Sequence, residues 1–419
     1  MDGFEYKSGE LYAGELSISG IAAQVDTPFY IYSAQGIGNN FLSLRNAFGD
    51  RQHHIHYAIK ANPNLALLAL LNKLGAGFDV VSGGELARAL KAGATADQIV
   101  FSGVGKSEAE IELALKETIS CINIESAAEL ERLQKCAARM NTTADVAIRV
   151  NPDVDAGTHE YISTGLKENK FGVDSQTAIK LFKKMQLLKN VNPVGIAYHI
   201  GSQITTLAPY VDSIKKVLGL IDQLAGLGIN IKHLDMGGGL GIRYKDETPP
   251  SFEAYVNSLV STIDKNHSHL QLSIEPGRSI IGNAGLLITK VEYLKSNNDK
   301  HFAIVDAAMN DLIRPALYKA WMTISEVSQN QENPKLACDV VGPVCESADF
   351  LGKNRELAIS QGDLLAVQSA GAYAMSMSSN YNSRPRSAEV LVDHDRFHII
   401  RKRETYDDLF AHEIIPEFN

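Results

Sequence analysis

The amino-acid sequence predicts an α/β chain: a (β/α)8 TIM-like barrel plus a C-terminal mostly-β domain joined by the N-terminal strands. Three observations carry this reading. Between about residue 55 and residue 285, eight short runs rich in β-branched residues alternate with segments whose apolar residues fall at helical spacing. No G-x-G-x-x-G follows the first run and the count is eight, which disfavours an open doubly wound sheet. Past residue 285 strand-like runs follow one another with hairpin or loop connections.

The eight runs are "HIHYAIK", "GFDVVS", "QIVFSG", "CINIES", "DVAIRVNP", "PVGIAYHIGS", "IKHLDMGGG" and "LQLSIEPGR". Each ends in polar or glycine residues. Between them "NLALLALLNKLG", "GELARALKAG", "SEAEIELALKE", "SAAELERLQKCAARM" and "YVDSIKKVLGLIDQLAGLG" read as helices. The later strands are read from "GLLITKVEYLKS", "HFAIVDAAM", "KLACDVVGPVC", "DLLAVQSAGAYA" and "AEVLVDHDRFHIIRKRE". The N-terminal "ELSISGIAAQ" and "TPFYIYS" also look strand-like and are expected to join them. The domain limits follow: residues 36–282 form the barrel, and residues 1–35 with 283–419 form the β-rich domain.

Composition narrows the function classes. The chain has 419 residues, is 45% hydrophobic and 21% charged, and carries a formal net charge of −9. That balance argues against a protein held mainly by nucleic-acid phosphates. The opening "MDGFEYKSGE" lacks the apolar core of a signal peptide, and no apolar run approaches the ~20 residues that span a bilayer. The cysteines Cys121, Cys136, Cys338 and Cys345 form no C-x-x-C pair. A reducing cytoplasm is therefore expected, with no membrane, nucleic acid or metal. In "HIH", residues 54–56, two histidines share one face of a strand and read as packing.

Barrels of this kind place their active site at the C-terminal ends of the strands. The polar residues there are Lys60, Asp79, Ser82, Asn151, Asp153, His199, Ser202, the glycines 237–239 and 241, Glu275, Gly277 and Arg278. In "HYAIKANPN" Lys60 is a solvated strand end, an ion-pair partner or an amine used in covalent chemistry. The run "GGGLG" lets backbone N–H groups approach an anion, and loops seven and eight are the usual phosphate site of the fold. A phosphate-bearing carbonyl cofactor held through a lysine Schiff base means pyridoxal phosphate. A carboxylate such as Glu275 would keep its ring nitrogen protonated, and His199 is either a side chain for its face or a satisfied core histidine.

The motifs "YAIKAN", "FDVVSGGEL", "HIGSQ", "DMGGGLGI", "EPGRSI", "GPVCESAD" and "GAYAMSMSSNYNSRPRSAEVLV" resemble the diaminopimelate decarboxylase family, of the alanine-racemase-like fold type of pyridoxal-phosphate enzymes. The resemblance runs in order from about residue 26 to the end. It implies decarboxylation of meso-2,6-diaminopimelate to L-lysine and CO2, the last step of lysine biosynthesis. By the same resemblance Lys60 anchors the cofactor, His199 stacks on its ring and Glu275 pairs with its nitrogen. Ser202, Gly239 and the segment Glu275, Pro276, Gly277, Arg278, with Tyr373, hold the phosphate; Asp79 and Gly238 complete the cofactor-binding set. Arg278, Arg314, Tyr318, Glu346 and Tyr373 are implied for the small-molecule substrate. Cys345 is implied as the acid that returns a proton, and Cys345 and Glu346 reach the site from the second subunit of a homodimer.

The substrate's chemistry agrees. Meso-diaminopimelate carries an amine and a carboxylate at each end. Arg278 and Arg314 match the distal carboxylate by bidentate bonding, and Glu346 matches the distal amine. The competing readings are a decarboxylase of ornithine, arginine or carboxynorspermidine, an amino-acid racemase, and a non-catalytic binding protein. The segment "HEYISTGLKENKFGV", residues 159–173, is expected to close over the substrate.

Overall fold

The structure, a computed structural model, describes residues 1–155, 157, 164–165, 169–329 and 334–418. It divides into two compact units, one of Gly38–Ile242 with Glu247–Ile280, the other of Met1–Ile37, Arg243–Asp246 and Ile281–Asn419.

The first unit is a closed barrel of eight parallel strands: His53–Ala58, Gly77–Val80, Ile99–Phe101, Cys121–Ile124, Ala144–Arg149, Val191–Ala197, His233–Asp235 and Gln271–Ile274. All eight coincide with runs read from the sequence. The last strand pairs with the first, Leu272 opposite His53 and Ile274 opposite Ile55, and this closes the ring. Strands walled on both faces read as near-continuous apolar runs, as Ile99, Val100 and Phe101 do, all buried.

The surrounding helices begin at side-chain caps. Asn64, Ser82, Ser107, Ser126, Asp174 and Ser251 each accept a backbone N–H in the first turn of the helix they precede. Each such cap contributes about 1 kcal/mol. Four of the helices expected from "NLALL…" to "SAAEL…" form at Leu65–Lys73, Gly83–Lys91, Glu108–Glu117 and Ala127–Arg139. Helices at Ala34–Ala47, Ser175–Met185 and Phe252–Ile263 were not anticipated.

The second unit is built on a nine-stranded sheet. Its order runs Phe350–Leu357, Leu336–Val341, Lys300–Val305, Gly285–Asn297, Phe29–Ser33, Ala388–Asp393, Arg396–Arg401, with Leu364–Val367 and Ile324–Glu326 attached beside Gly285–Asn297. The expected strand in "TPFYIYS" lies inside this sheet. The other N-terminal expectation fails. In "ELSISGIAAQ" only Leu16–Ser17 is strand, and Ile18–Val25 is a helix. Ser17 Oγ caps it by accepting the Gly20 N–H, and the i, i+3, i+4 set Ile18, Ile21, Ala22 packs into the unit's core with Phe29, Ile31 and Leu286. Burial of that face overrides the short alternation that suggested a strand.

At the N-terminal end of the barrel the His54 and His56 rings stack in parallel, centroids 6.0 Å apart. His56 is buried and its Nδ1 has no hydrogen-bond partner. Burial, then the neighbouring His233 and His54, lowers its pKa to about 3. The unfolded chain protonates this imidazole near the ordinary value of about 6.5, while the folded one stays neutral. Stability from this site is therefore full above pH 6.5 and falls with pH down to the folded value. His56→Gln removes the dependence. In urea unfolding at pH 7, 6 and 5, the variant should gain on the wild type by on the order of 1 kcal/mol per pH unit below 6.5; parallel curves would refute it.

Candidate active site

Lys60 does not end a strand. The first strand stops at Ala58, and Lys60 sits in a tight 3-10 turn, Ile59–Ala61. Asn62, buried, braces the exit by accepting the Asn64 N–H on Oδ1, and its carbonyl takes the Tyr57 hydroxyl. Lys60 Nζ lies 2.6 Å from Asp79 Oδ2. Asp79 is fully buried inside the second strand rather than at its end. Burial raises its carboxyl pKa, but the Lys60 ammonium outweighs this and the net shift is downward. The other oxygen, Oδ1, is buried with no hydrogen-bond partner.

Barrel closure brings the loop after the eighth strand against this turn. Ala58 N donates to Pro276 O, and a Cβ on Gly277 would stand 2.9 Å from Ala61 Cβ. Glu275 follows the strand directly. Burial, then the carboxylates Asp235 and Asp79, raises its pKa well above the ordinary range. Ser102 Oγ donates to Glu275 Oε1 at 3.4 Å and accepts from Asn123 Nδ2 at 3.1 Å. Arg278, buried, donates from Nη2 to Ser202 Oγ at 3.0 Å.

His199 follows the sixth strand. The Gly238 N–H donates to its Nδ1 at 3.1 Å, which leaves the proton of the neutral ring on Nε2. Burial, then the Arg149 and Lys60 cations, lowers its pKa to about 3. The glycines 237–239 have a packing reason of their own. A Cβ on Gly238 would meet the Glu275 carbonyl oxygen at 2.1 Å, and one on Gly239, at φ +107°, the Gly201 oxygen at 2.2 Å. Asp235 Oδ1 holds the same loop by accepting the Gly237 N–H, and burial first pushes its pKa up to about 6.

Sequence reasoning singled out Lys60, Asp79, His199, Ser202, Gly238, Gly239, Glu275, Pro276, Gly277 and Arg278; the structure places all of them at this end of the barrel. It missed Arg149, which ends the fifth strand as a cation and acts electrostatically on Asp79, His199 and Glu275. Arg149 Nη1 pairs with Glu125 Oε1 at 3.1 Å, and its guanidinium covers the Phe171 ring at 4.8 Å. Glu125 Oε2 accepts the Gly172 N–H. Of the segment 159–173, residues 159–163 and 166–168 lie outside the described residues.

Arg314, Tyr318, Cys345, Glu346 and Tyr373 belong to the other unit. Arg314 is buried and opens the helix Arg314–Tyr318; its guanidinium lies over the Tyr244 ring at 5.3 Å and the Tyr318 ring at 5.5 Å. Cys345 and Glu346 are exposed in the loop 342–349. Tyr373 sits at φ +53°, a backbone state rare for a tyrosine.

Residues 35–282 match the family described as pyridoxal-dependent decarboxylase, pyridoxal binding domain. A diaminopimelate decarboxylase of Haemophilus influenzae is 51% identical over 413 residues, covering 99% of this chain and 99% of its own. The chain belongs to the diaminopimelate decarboxylase family. A second member, from Pseudomonas aeruginosa, is 50% identical over all of both chains. The crystal structure of diaminopimelate decarboxylase from Helicobacter pylori complexed with L-lysine superposes with a TM-score of 0.91 at 43% identity, covering 94% of this chain and 98% of that one. Among the described residues no helix is long and apolar enough to cross a membrane.

The contact between loops seven and eight is testable in this family member. Gly238→Ala drives a methyl group onto the Glu275 carbonyl, so a thermal melt should fall by about 5 °C or more. An unchanged melt would show that the two loops are not in contact.

Proposed function

We propose that the chain releases CO2 from meso-2,6-diaminopimelate and yields L-lysine, with pyridoxal 5'-phosphate as cofactor. The observation that carries this is the Lys60–Asp79 pair at 2.6 Å, in the same barrel mouth as half-buried Glu275, in a chain half identical to named diaminopimelate decarboxylases. The barrel mouth fits the cofactor. The Lys60 amine lies against a carboxylate with one unpartnered oxygen, which suits a site whose polar complement is a further group. Arg278 and Ser202 supply donors for a phosphate, and neutral His199 supplies a flat ring.

In this reading residues 36–282 form the cofactor-binding domain, and 1–35 with 283–419 the β-rich domain. Lys60 is the covalent anchor and releases its hold to the substrate amine. Bound pyridoxal phosphate supplies an electron sink for the pair left when the scissile carboxylate departs as CO2. Glu275, beside Asp235 and Asp79, holds the proton that the ring nitrogen needs. Asp79 would orient the Lys60 side chain and take up the proton that its amine must lose before it can hold the cofactor. Gly238 and Gly239, with Ser202, Pro276, Gly277, Arg278 and Tyr373, hold the phosphate. Arg278, Arg314, Tyr318 and Tyr373 orient the distal end of the substrate, and Glu346 takes its amine. Cys345 Sγ delivers the proton that replaces the lost carboxylate on the α-carbon. Cys345 and Glu346 serve the neighbouring site of a homodimer, and the enzyme works in the cytoplasm.

A panel of meso-diaminopimelate, ornithine and arginine, read as CO2 released, tests the substrate. Release from meso-diaminopimelate at least a hundredfold above the others is expected; turnover of ornithine alone would overturn the assignment. Lys60→Ala should lower turnover at least a thousandfold, with loss of the bound cofactor's absorbance.

Sharing of residues between subunits has its own test. Lys60→Ala and Cys345→Ala chains, each inactive, should recover activity when exchanged into mixed dimers. Proven exchange without recovery would remove the shared-site arrangement.

A further inference from the structure

Two irregular loops of the β-rich unit lead to or carry Arg314, Cys345 and Glu346, three of the side chains assigned to the reaction. The loop 306–313 leads into Arg314, and the loop 342–349 bears Cys345 and Glu346. One carboxylate joins them. Asp349 Oδ1 accepts the Met309 N–H at 2.7 Å, and Oδ2 accepts the Val344 N–H at 2.7 Å. Asp349 is 4% exposed, so these are buried, charge-assisted bonds. Around them Ala308, Met309 and Val344 form a small apolar cluster with Ile313, Ala316 and Ala348. Gly342 completes the seat, since a Cβ there would stand 2.5 Å from Asp349 Oδ2.

A second clamp acts on one loop only. Asn382, at φ +56°, accepts the Cys345 N–H on Oδ1 at 2.9 Å.

We propose that Asp349 is a positioning residue that sets the Arg314 arm and the Cys345–Glu346 arm together, and that Asn382 sets the Cys345 arm alone. This rests on the functional reading above, in which Arg314 takes the distal carboxylate and Cys345 the proton transfer. The chemistry requires both oxygens of a carboxylate. An asparagine at 349 keeps the shape, but its NH2 faces a backbone N–H and one of the two loops loses its acceptor.

The test compares Asp349→Asn and Asn382→Ala holoenzymes with the wild type. Asp349→Asn should raise KM for meso-diaminopimelate and lower kcat, each about tenfold. Asn382→Ala should lower kcat about tenfold and, with the Arg314 arm undisturbed, raise KM by less than Asp349→Asn does. Cofactor absorbance should stay at the wild-type value in both, while Asp349→Asn, which orphans a buried N–H, should lower the melt by about 2–5 °C. A third readout is independent of turnover. Cys121, Cys136 and Cys338 are buried and Cys345 is exposed, so the rate of iodoacetamide labelling at Cys345, followed by mass spectrometry, should change at least fivefold in both variants.

Unchanged kinetics and labelling would overturn the proposal. So would a loss of activity that comes with lost cofactor, or with unchanged labelling at Cys345, because that is the signature of a merely structural residue. If the wild type released no CO2 from meso-diaminopimelate, the functional reading would fall, while the labelling comparison would still decide whether the clamp exists. Should Asp349→Asn not fold, Gly342→Ala strikes the same carboxylate from outside and should give the same paired change in KM and kcat.

Discussion

Closure of the barrel is the constraint on which the site depends. The strand Gln271–Ile274 pairs with His53–Ala58, and that pairing joins the two ends of the barrel's sequence. It carries the Ala58 N–H onto Pro276 O and Gly277 onto Ala61, and so sets Glu275 in the same mouth as the Lys60 turn. A lysine and a carboxylate remote in sequence thereby come to the same end of the barrel, close enough for the Lys60 charge to act on Glu275. The glycines at 237–239 are the cost of that crowding, because three strand-end loops meet there with backbone against backbone.

The mouth gathers more buried charge than a packed core tolerates. Asp79, Asp235 and Glu275 are three carboxyl groups sharing one low-dielectric end, answered by the cations Lys60 and Arg149. The environment drives them apart: Asp79, touching Lys60, shifts down, while Glu275 and Asp235 shift up. Two of the three are thereby biased towards holding a proton and one towards giving it up to the lysine. That division suits a site in which one carboxylate must orient an amine and another must share a proton with a ring nitrogen.

The barrel was legible in the sequence because its signal repeats. Each β-branched run is short and stops at a polar or glycine residue, six of the eight are followed by a helix with a side-chain cap, and the eight units reinforce one another. Elsewhere local signals conflict. The helix Ile18–Val25 hides in "SISGIAA", where alternation and helical spacing overlap until burial chooses. The strand Phe350–Leu357 was obscured by Gly352, Lys353 and Asn354, and becomes plain only beside its partner Leu336–Val341. The site shows the same division. Lys60, His199, Glu275 and Arg278 stand in compact motifs, and strand ends are where a barrel keeps its chemistry. Arg149 shared that address in "AIRVNP", yet its reason, the pair with Glu125 and the cover of Phe171, is spread over three segments.

The β-rich unit solves a different problem. Its loops 306–313 and 342–349 have no ladder to satisfy their buried N–H groups, and an orphaned buried N–H costs about as much as a lost hydrogen bond. Carboxylates take the place of strands. Asp311 accepts Ala308 N and Asp349 accepts Met309 N and Val344 N, while Asp306 ties its loop to the strand Gly285–Asn297 by accepting Lys290 N. A side chain that satisfies backbone in this way also fixes the loop's shape more tightly than apolar contact does, since a hydrogen bond has a direction and packing has little. If, as proposed, these loops offer an arginine, a thiol and a carboxylate in fixed relation to one another, buried aspartates hold them better than a larger apolar cluster would. The Asp in "GPVCESAD" then reads as part of the same device as its Cys and Glu, the residue that holds still what the other two present.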